Sequence, residues 1–364
     1  MSVPAFDPKE MEVVGKKPGL FGVDFPIFNY PVTRKEATVA LFEKRPYWQL
    51  HGMDVSSCLF CPMVNPDNIA RGFIYEARKA EMDPSRFGGK DMFGIEWEYI
   101  PMVRGSMVRP GDPFMEDMYD WEEKVVWPNP DEWDWEAAKE ANKDYFVKDG
   151  FNVAWFLNGW YERLISFMDF ENAIMAIFDE DQKEYVHAFF DKLSDLYIKI
   201  FDKYLEYFPE IDGFCIHDDW GSQKETFFSP ALAEEMIVPY MKRVTDFLHS
   251  KGKFCELHSC GQNFKQVPNF IKAGWDMWVP QAMNDTQGIY EEHGKDIIIA
   301  VIPDEVPENA TEEEQRAAAR AFVDKFMQPG KCCVMSYYKN ESLTAAYLEE
   351  LYAYSRKKAC EMGY

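Results

Sequence analysis

The residues best suited to chemistry form a short turn, His258-Ser259-Cys260-Gly261. This turn places an imidazole nitrogen and a thiol two residues apart, and both groups are favoured zinc ligands. It follows residues 254–257, which are predicted to form a strand. Glycine at the end of the turn relieves backbone crowding. We therefore predict that His258 and Cys260 are metal ligands, and the alternative is a purely structural turn.

A second polar cluster follows the apolar run 213–216, which also predicts a strand. His217 ends that strand, so the two histidines finish successive strands. We predict that His217, Asp218 and Asp219 are catalytic, with the histidine handling a proton. Either aspartate could ligate the metal, act as a general base or fix a histidine tautomer. The structural alternative for both is capping of the following loop.

A zinc site needs at least a third protein ligand. Three residues that follow predicted strand ends are candidates: His217, Gln281 and Asp304. Cys332 and Cys333 are excluded because they begin their strand, whereas reactive groups in a barrel collect where strands end.

Other polar and aromatic side chains follow predicted strand ends and are expected to bind substrate. They are Asn158, Trp220, Gln223, Gln281 and Tyr337.

Cys58 and Cys61 have the spacing of half a metal knuckle or of a redox pair. No second Cys-x-x-Cys accompanies them, so we expect buried structural thiols. A second site that uses His51 is the alternative. The eight cysteines are expected to be buried thiols or metal ligands rather than disulfides.

The elements that would position these groups alternate between apolar strands and amphipathic helices. Strands are predicted at 47–51, 92–100, 151–157, 213–216, 254–257, 277–279, 297–302 and 332–335. Helices are predicted from Thr33-Arg34-Lys35-Glu36, and over 162–208, 229–251, 263–273, 311–327 and 342–360. About eight such units predict a (β/α)8 TIM barrel. We expect one domain over 1–364, with an N-terminal arm at 1–32 and an inserted loop at 101–148.

Composition restricts the partners. The hydrophobic fraction of 47% supports a sizeable core, and the net charge of −24 disfavours nucleic acid and anionic membranes. No apolar run approaches the roughly 20 residues of a membrane span, and Met1–Glu10 lacks the features of a signal peptide. We expect a cytoplasmic protein.

Three sequence stretches resemble the uroporphyrinogen decarboxylase superfamily: 212–223 with Ser229-Pro230, the turn 258–261, and 274–281. The resemblance implies a (β/α)8 barrel. The superfamily includes porphyrinogen decarboxylases and zinc methyltransferases that work with corrinoid proteins, so the fold alone does not fix the reaction.

The motifs favour the methyltransferase branch. The Arg-Gln-Ala-Gly-Arg clamp of the decarboxylases is missing, since residues 45–51 read Arg-Pro-Tyr-Trp-Gln-Leu-His, whereas the His-x-Cys of the methyltransferases is present. Their third ligand, a cysteine, is replaced by Tyr337-Tyr338. The resemblance therefore implies zinc-assisted methyl transfer from a small substrate to a corrinoid protein, as in O-demethylation of methoxylated aromatics.

The sequence is also compatible with two other functions. One is a decarboxylase, for which Arg104, Arg109 and Arg163 are few and scattered cations. The other is a non-catalytic barrel that binds a corrinoid or a tetrapyrrole.

Overall fold

The computed structural model of this protein describes residues 4–17, 25–102 and 105–363. Parts of the predicted arm (18–24) and of the predicted insertion (103–104, with Arg104) lie outside the described residues. The chain divides into two compact units. The first comprises Met1–Ser57, Asp149–Phe151 and Asp276–Tyr364, and the second comprises Cys58–Lys148 and Asn152–Trp275.

The strands of the described residues, in chain order, are β1 (Val13–Lys17), β2 (Phe25–Phe28), β3 (Cys58–Phe60), β4 (Gly89–Lys90), β5 (Glu96–Ile100), β6 (Gly105–Val108), β7 (Asn152–Phe156), β8 (Gly213–His217), β9 (Phe254–His258), β10 (Met277–Trp278), β11 (Ile298–Val301) and β12 (Cys333–Met335).

The α-helices of the same residues are α1 (Arg34–Phe42), α2 (Gly52–Val55), α3 (Pro66–Ala70), α4 (Trp121–Lys124), α5 (Trp135–Asn142), α6 (Trp160–Phe178), α7 (Lys183–Tyr207), α8 (Pro230–Met236), α9 (Val238–Ser250), α10 (Val267–Lys272), α11 (Thr286–His293), α12 (Glu312–Phe326) and α13 (Ala345–Met362).

A parallel sheet forms the centre of the second unit, in the order β3-β7-β8-β9. Strand β8 is buried along all but its last residue, as expected for a parallel strand covered on both faces. Helices α6 and α7 follow β7, and α8 and α9 follow β8. The strands predicted at 151–157, 213–216 and 254–257 are confirmed.

Two predicted helical stretches are each divided in two. Between α6 and α7, the Asp179 carboxylate accepts the Asp181 N–H (3.0 Å) in a local turn that competes with the helix. Between α8 and α9, Pro239 is in the first turn of the second helix, where its missing N–H is tolerated. The predicted start at Ser229 is confirmed, because its hydroxyl accepts the Leu232 N–H at 3.2 Å.

The first unit contains a parallel sheet β10-β11-β12 and an antiparallel pair β1-β2. The strand predicted at 47–51 is reduced to one parallel bridge, between His51 and Met335. Next to that bridge, the Gln49 side-chain amide donates to the Cys333 carbonyl (2.9 Å), so a side chain supplies a bond that a strand would make with its backbone.

The prediction of a parallel barrel strand at 92–100 is wrong. Only β5 is a strand there, and it lies between β4 and β6 in an antiparallel sheet within the second unit. Trp97 is buried while Glu96 and Glu98 are exposed, which is the one-sided alternation of an antiparallel sheet. Residues before β5 form a turn, because the Asp91 carboxylate accepts the Phe93 and Ile95 N–H groups at 2.9 and 3.0 Å.

The predicted α/β class is confirmed, since parallel strands alternate with helices in both units. Among the described residues, seven strands have parallel partners, and a closed eight-stranded barrel is not confirmed. Strand β3 is missing from the sequence prediction. The single-domain organisation stays a prediction. No helix in the described parts of the chain has the length and apolar character needed to cross a membrane.

Candidate metal centre

Two histidines stand side by side at the ends of β8 and β9. The sheet register makes His217 and His258 direct neighbours. Side chains alternate along a strand, so paired positions on parallel neighbours project to the same face. The two imidazoles stack with ring centroids 4.6 Å apart and planes inclined by 15°.

Asp219 and Cys260 bring two further ligand types to this pair. The Cys260 N–H donates to Asp219 Oδ1 at 2.6 Å, which ties the two strand-end turns together. Asp219 Oδ1 lies 3.7 Å from His217 Nε2, and Cys260 Sγ lies 3.3 Å from His258 Nε2. Ligand atoms of His217, Asp219 and His258 all lie within 4.8 Å of one another.

The chemistry of this donor set fits zinc. Imidazole, thiolate and carboxylate are its usual ligands, and tetrahedral geometry with bonds of about 2.0–2.3 Å separates ligand atoms by about 3.3–3.8 Å. The measured spacings of 3.3 and 3.7 Å match that range, and the 4.8 Å limit requires a shift on the order of 1 Å. His217, Asp219 and His258 are the residues whose ligand atoms lie close together, and Cys260 adjoins them through its contact with His258 Nε2.

The Glu162 carboxylate orients the His217 imidazole. It lies in the first turn of α6, and its carboxylate hydrogen-bonds to Nδ1 of His217. The sequence pattern did not indicate this contact. Metal-binding histidines commonly donate their second ring N–H to a carboxylate, which leaves the other nitrogen for the metal. Here that nitrogen is Nε2, the one nearest Asp219.

The charges of the cluster act on one another strongly. Burial alone would lower the pKa of His217, but the carboxylates of Glu162 and Asp219 outweigh it and raise the pKa. Burial and the neighbouring His217 lower the pKa of His258 to about 3, so this imidazole is neutral with a lone pair to offer. Burial, reinforced by Asp219, holds the pKa of the Cys260 thiol well above its usual range.

The turn that carries Cys260 is fixed by a close backbone approach. Gly261 has a φ of +93°, and a Cβ there would overlap the backbone of Gly221 in the turn after β8. Ser259 Oγ accepts hydrogen bonds from the Trp220 N–H (3.2 Å) and from Asn263 Nδ2 (3.1 Å). Glycine is therefore required at 261 by both conformation and space.

Asp218 and Trp220, predicted to be catalytic and substrate-binding, are both buried beside the start of α6. The Asp218 carboxylate is fully buried and accepts the N–H groups of Tyr161 (3.3 Å) and Glu162 (2.9 Å) at the start of α6. Trp220 Nε1 donates to it at 2.9 Å, and the indole packs on Phe228. Burial raises the pKa of Asp218 to about 7.

The remaining predicted binding residues are divided between the two units. Asn158 is buried at the end of β7, where it links Asp67 to Arg71, and Gln223 is exposed. Gln281 and Tyr337 belong to the first unit, where they follow β10 and β12.

Arg163, one of the cations considered for a decarboxylase clamp, is fully buried in ion pairs. It contacts Asp67 through Nη2 and Asp91 through Nη1, the latter at 2.7 Å. Arg109 is 78% exposed and pairs with Glu98. Neither side chain is arranged to clamp a polycarboxylate.

Two pairs of cysteines considered in the sequence analysis are buried. Cys58 and Cys61 are buried, the first at the start of β3, and burial raises the pKa of Cys58 to about 11. Cys332 and Cys333 are buried at the beginning of β12 in the first unit, as expected from strand direction.

A cavity of about 240 Å³ adjoins Glu162. Its lining residues are Arg71, Trp97, Ser106, Met107, Val108, Pro110, Glu162, Ile165, Asp169 and Phe170. Arg71 lies 3.7 Å from Glu162, and Glu162 hydrogen-bonds to His217. Glu162 therefore connects the cavity to the histidine pair. Arg71, which directly follows α3, was not indicated by any sequence motif.

The sequence pattern that defines the uroporphyrinogen decarboxylase (URO-D) family matches residues 161–336, which include Glu162, β8 and β9. These residues belong to the uroporphyrinogen decarboxylase superfamily. The resemblance inferred from the motifs is thereby confirmed. No curated protein sequence matches the chain.

Among solved structures, a methyltransferase from Methanosarcina mazei has a TM-score of 0.53 at 15% identity, over 90% of this chain and 99% of that one. Identity this low shows the shared fold alone. Two structures of catalytic domain 2 of the Ostrinia furnacalis Group II chitinase have 12% and 11% identity over 77% of this chain and 61% of theirs. Their TM-scores of 0.27 and 0.26 are too low to support any comparison.

Proposed function

We propose that this protein is a zinc-assisted methyltransferase that moves a methyl group from a small methoxylated aromatic compound to a corrinoid protein. The observation that carries the proposal is the cluster of His217, Asp219 and His258 within 4.8 Å at two neighbouring strand ends of a URO-D superfamily domain. The methyltransferase named for the M. mazei fold relative is a supporting analogy.

We assign His258 and Cys260 as zinc ligands, as predicted from sequence, and add His217 and Asp219. His217, predicted from sequence to handle a proton, is assigned as a ligand because of its contact with Glu162. A metal-bound imidazole and its supporting carboxylate have this arrangement. Zinc bound there would supply Lewis-acid polarisation of the substrate's ether oxygen. Asp218 is left out of the chemistry, because three N–H donors already engage its carboxylate.

The proposed reaction balances as a methyl transfer. The bond between the ether oxygen and the methyl carbon breaks, a bond from that carbon to cobalt(I) of the partner's corrinoid forms, and the phenolate takes a proton from water. Glu162 keeps Nδ1 of His217 engaged, so that Nε2 stays directed at Asp219 and the reacting centre. The corrinoid protein is the proposed partner, and the cytoplasm the proposed location.

Methyl transfer can be assayed with purified zinc-loaded protein, cob(I)alamin and 4-methoxybenzoate under anaerobic conditions. The expected result is formation of methylcob(III)alamin together with an equal amount of 4-hydroxybenzoate. His258→Ala with Cys260→Ala should reduce the rate by at least about a hundredfold, corresponding to roughly 2.7 kcal/mol of lost transition-state stabilisation. Equal rates in wild type and variant would contradict the proposal.

A decarboxylase would instead release carbon dioxide from a carboxylated tetrapyrrole, and a non-catalytic barrel would bind a corrinoid or tetrapyrrole unchanged. The buried ion pairs of Arg163 and the exposure of Arg109 speak against the polycarboxylate clamp that the first alternative needs.

A further inference from the structure

Resting on the proposed function, we propose that the cavity beside Glu162 is the substrate subsite and that it takes a compact apolar carboxylic acid. The free Nε–Nη2 edge of the Arg71 guanidinium would bind the carboxylate. The juxtaposition of an immobilised arginine, an apolar chamber and the histidine pair carries this proposal.

The chamber has the size and character for a one-ring compound. Its volume of about 240 Å³ falls below the roughly 300–1,000 Å³ of pockets that hold drug-sized ligands. Its walls are largely apolar, and the side chains that form them are Trp97, Met107, Val108, Pro110, Ile165 and Phe170.

Arg71 is held in one position at this chamber. Its Nη1 donates to Asn158 Oδ1 at 2.8 Å and lies 3.7 Å from Glu162, and the guanidinium lies over the Trp97 ring at 4.9 Å. Asn158 is itself fixed, because its Nδ2 donates to Asp67 at 2.9 Å. The arginine is therefore arranged before any ligand arrives, which lowers the entropic cost of binding.

One edge of this guanidinium has no protein partner. Both polar contacts of Arg71 are made by Nη1, and the N–H groups on Nε and Nη2 have no hydrogen-bond partner among the described residues. The Arg71 side chain lines the chamber and is 16% exposed. Two parallel N–H groups match the two oxygens of a carboxylate.

The carboxylates that line the chamber are already engaged. Glu162 bonds to His217, and Asp169 Oδ2 accepts the Gly111 N–H at 2.6 Å. Ser106 also lines the chamber, and its hydroxyl has no hydrogen-bond partner within the described parts of the chain. Arg71 is thus the charged group with donors left for a ligand, and that selects an anion over a cation.

Calorimetric titration of the zinc-loaded protein with three matched compounds tests this proposal: 4-methoxybenzoate, its neutral amide and 4-methoxybenzylamine. The acid should bind about 10- to 100-fold more tightly than the amide, since a charge-assisted pair is worth that much. The amine should bind most weakly. Equal binding of acid and amide, preferred binding of the amine, or no saturable binding of any compound at millimolar concentration would overturn the proposal.

Two arginine variants separate Arg71 from general charge effects. Arg71→Gln should abolish the preference for the acid while amide affinity stays within about twofold, and Arg109→Gln, an exposed control, should keep the preference. The amide serves as the internal check that Arg71→Gln leaves the chamber intact. Persistent preference in Arg71→Gln, or equal loss of acid and amide binding, would contradict the assignment.

The binding result and the methyl-transfer result are independent. Discrimination by Arg71 without any methyl transfer would leave the subsite standing and refute the proposed reaction. Methyl transfer from acid and amide with equal efficiency would leave the reaction standing and refute the subsite.

Discussion

His217 has two ring nitrogens with different partners, and this asymmetry defines the site. Nδ1 bonds to Glu162, while Nε2 is directed toward Asp219 at 3.7 Å. A hydrogen bond to one nitrogen fixes the tautomer and so the direction of the other lone pair. The supporting carboxylate is therefore as much part of the proposed zinc site as the ligands.

Glu162→Gln is predicted to weaken zinc binding by about 10- to 100-fold, because the amide retains the shape but not the charge that supports His217. Competition with a chromophoric chelator at pH 7.5 measures the change. Glu171→Gln, at an exposed position on the same helix, is the matched control and should leave the affinity unchanged. The same affinity in both variants would count against a supporting role for Glu162.

At the residue scale, the sequence located the histidines but not their supports. The proximity of His217 and His258 could be predicted, because side chains at the ends of neighbouring parallel strands lie close together. The same alternation separates Asp218 from Asp219 once β8 is known to extend through His217, because successive residues face opposite ways. The contact of Glu162 with His217 depends on where α6 begins relative to β8, and the periodicity of the sequence does not reveal that position.

The turns after β8 and β9 act as one element, because Gly261 and Gly221 approach at backbone distance. Gly261→Ala is predicted to destabilise the protein by about 3 kcal/mol or more, since strain at φ +93° is added to a backbone clash. Gly252→Ala is the matched control, with φ +70° and open space around the position. It should cost only about 1 kcal/mol.

Urea unfolding of both glycine variants, with zinc content measured alongside, checks this prediction. Gly261→Ala should also lose zinc, because Cys260 precedes the displaced residue. Equal unfolding midpoints for the two variants would show that the close approach of the turns is unimportant.

At the element scale, regular units were predictable and short ones were not. The capping box at Thr33 and Glu36 correctly predicts the start of α1. Strand β3 has only three residues, so it carries too little periodicity to be recognised. At 92–100 the alternation is real, but alternation indicates a one-sided strand and does not reveal whether its neighbours are parallel.

In the first unit, His51 is a buried neutral imidazole. Asn340 Nδ2 donates to its Nε2 at 2.8 Å, which requires that nitrogen to be unprotonated. Burial lowers the pKa of His51 to about 4, with Asp54 opposing and Lys17 reinforcing the shift. The unfolded chain binds this proton more readily than the folded chain does. The contribution of neutral His51 to the unfolding free energy is therefore fully present above about pH 6.5 and is lost as the pH falls toward 4.

The predicted consequence is a loss of about 2 kcal/mol in unfolding free energy between pH 7.5 and pH 5 that is specific to His51. It is measured as the difference between wild type and His51→Gln in urea unfolding at the two pH values. The variant should be less stable at pH 7.5 but should depend less on pH. The same pH dependence in both proteins would contradict a buried neutral His51.

At the scale of the whole chain, the sequence predicted parallel strands alternating with helices but not whether they close into a barrel. Closure depends on each strand finding neighbours on both edges, and at 47–51 a glutamine side chain takes the place of a backbone bond. The superfamily motifs were recognisable because they coincide with strand ends, where packing and chemistry restrict the same few residues.

Zinc content tests the central claim most directly. Elemental analysis of protein purified without added chelator should give about one zinc per chain for wild type. The variant carrying His258→Ala and Cys260→Ala should give close to none and remain folded. A wild-type protein that neither contains zinc nor takes it up during titration, or a variant that keeps the full amount, would contradict the proposed metal centre.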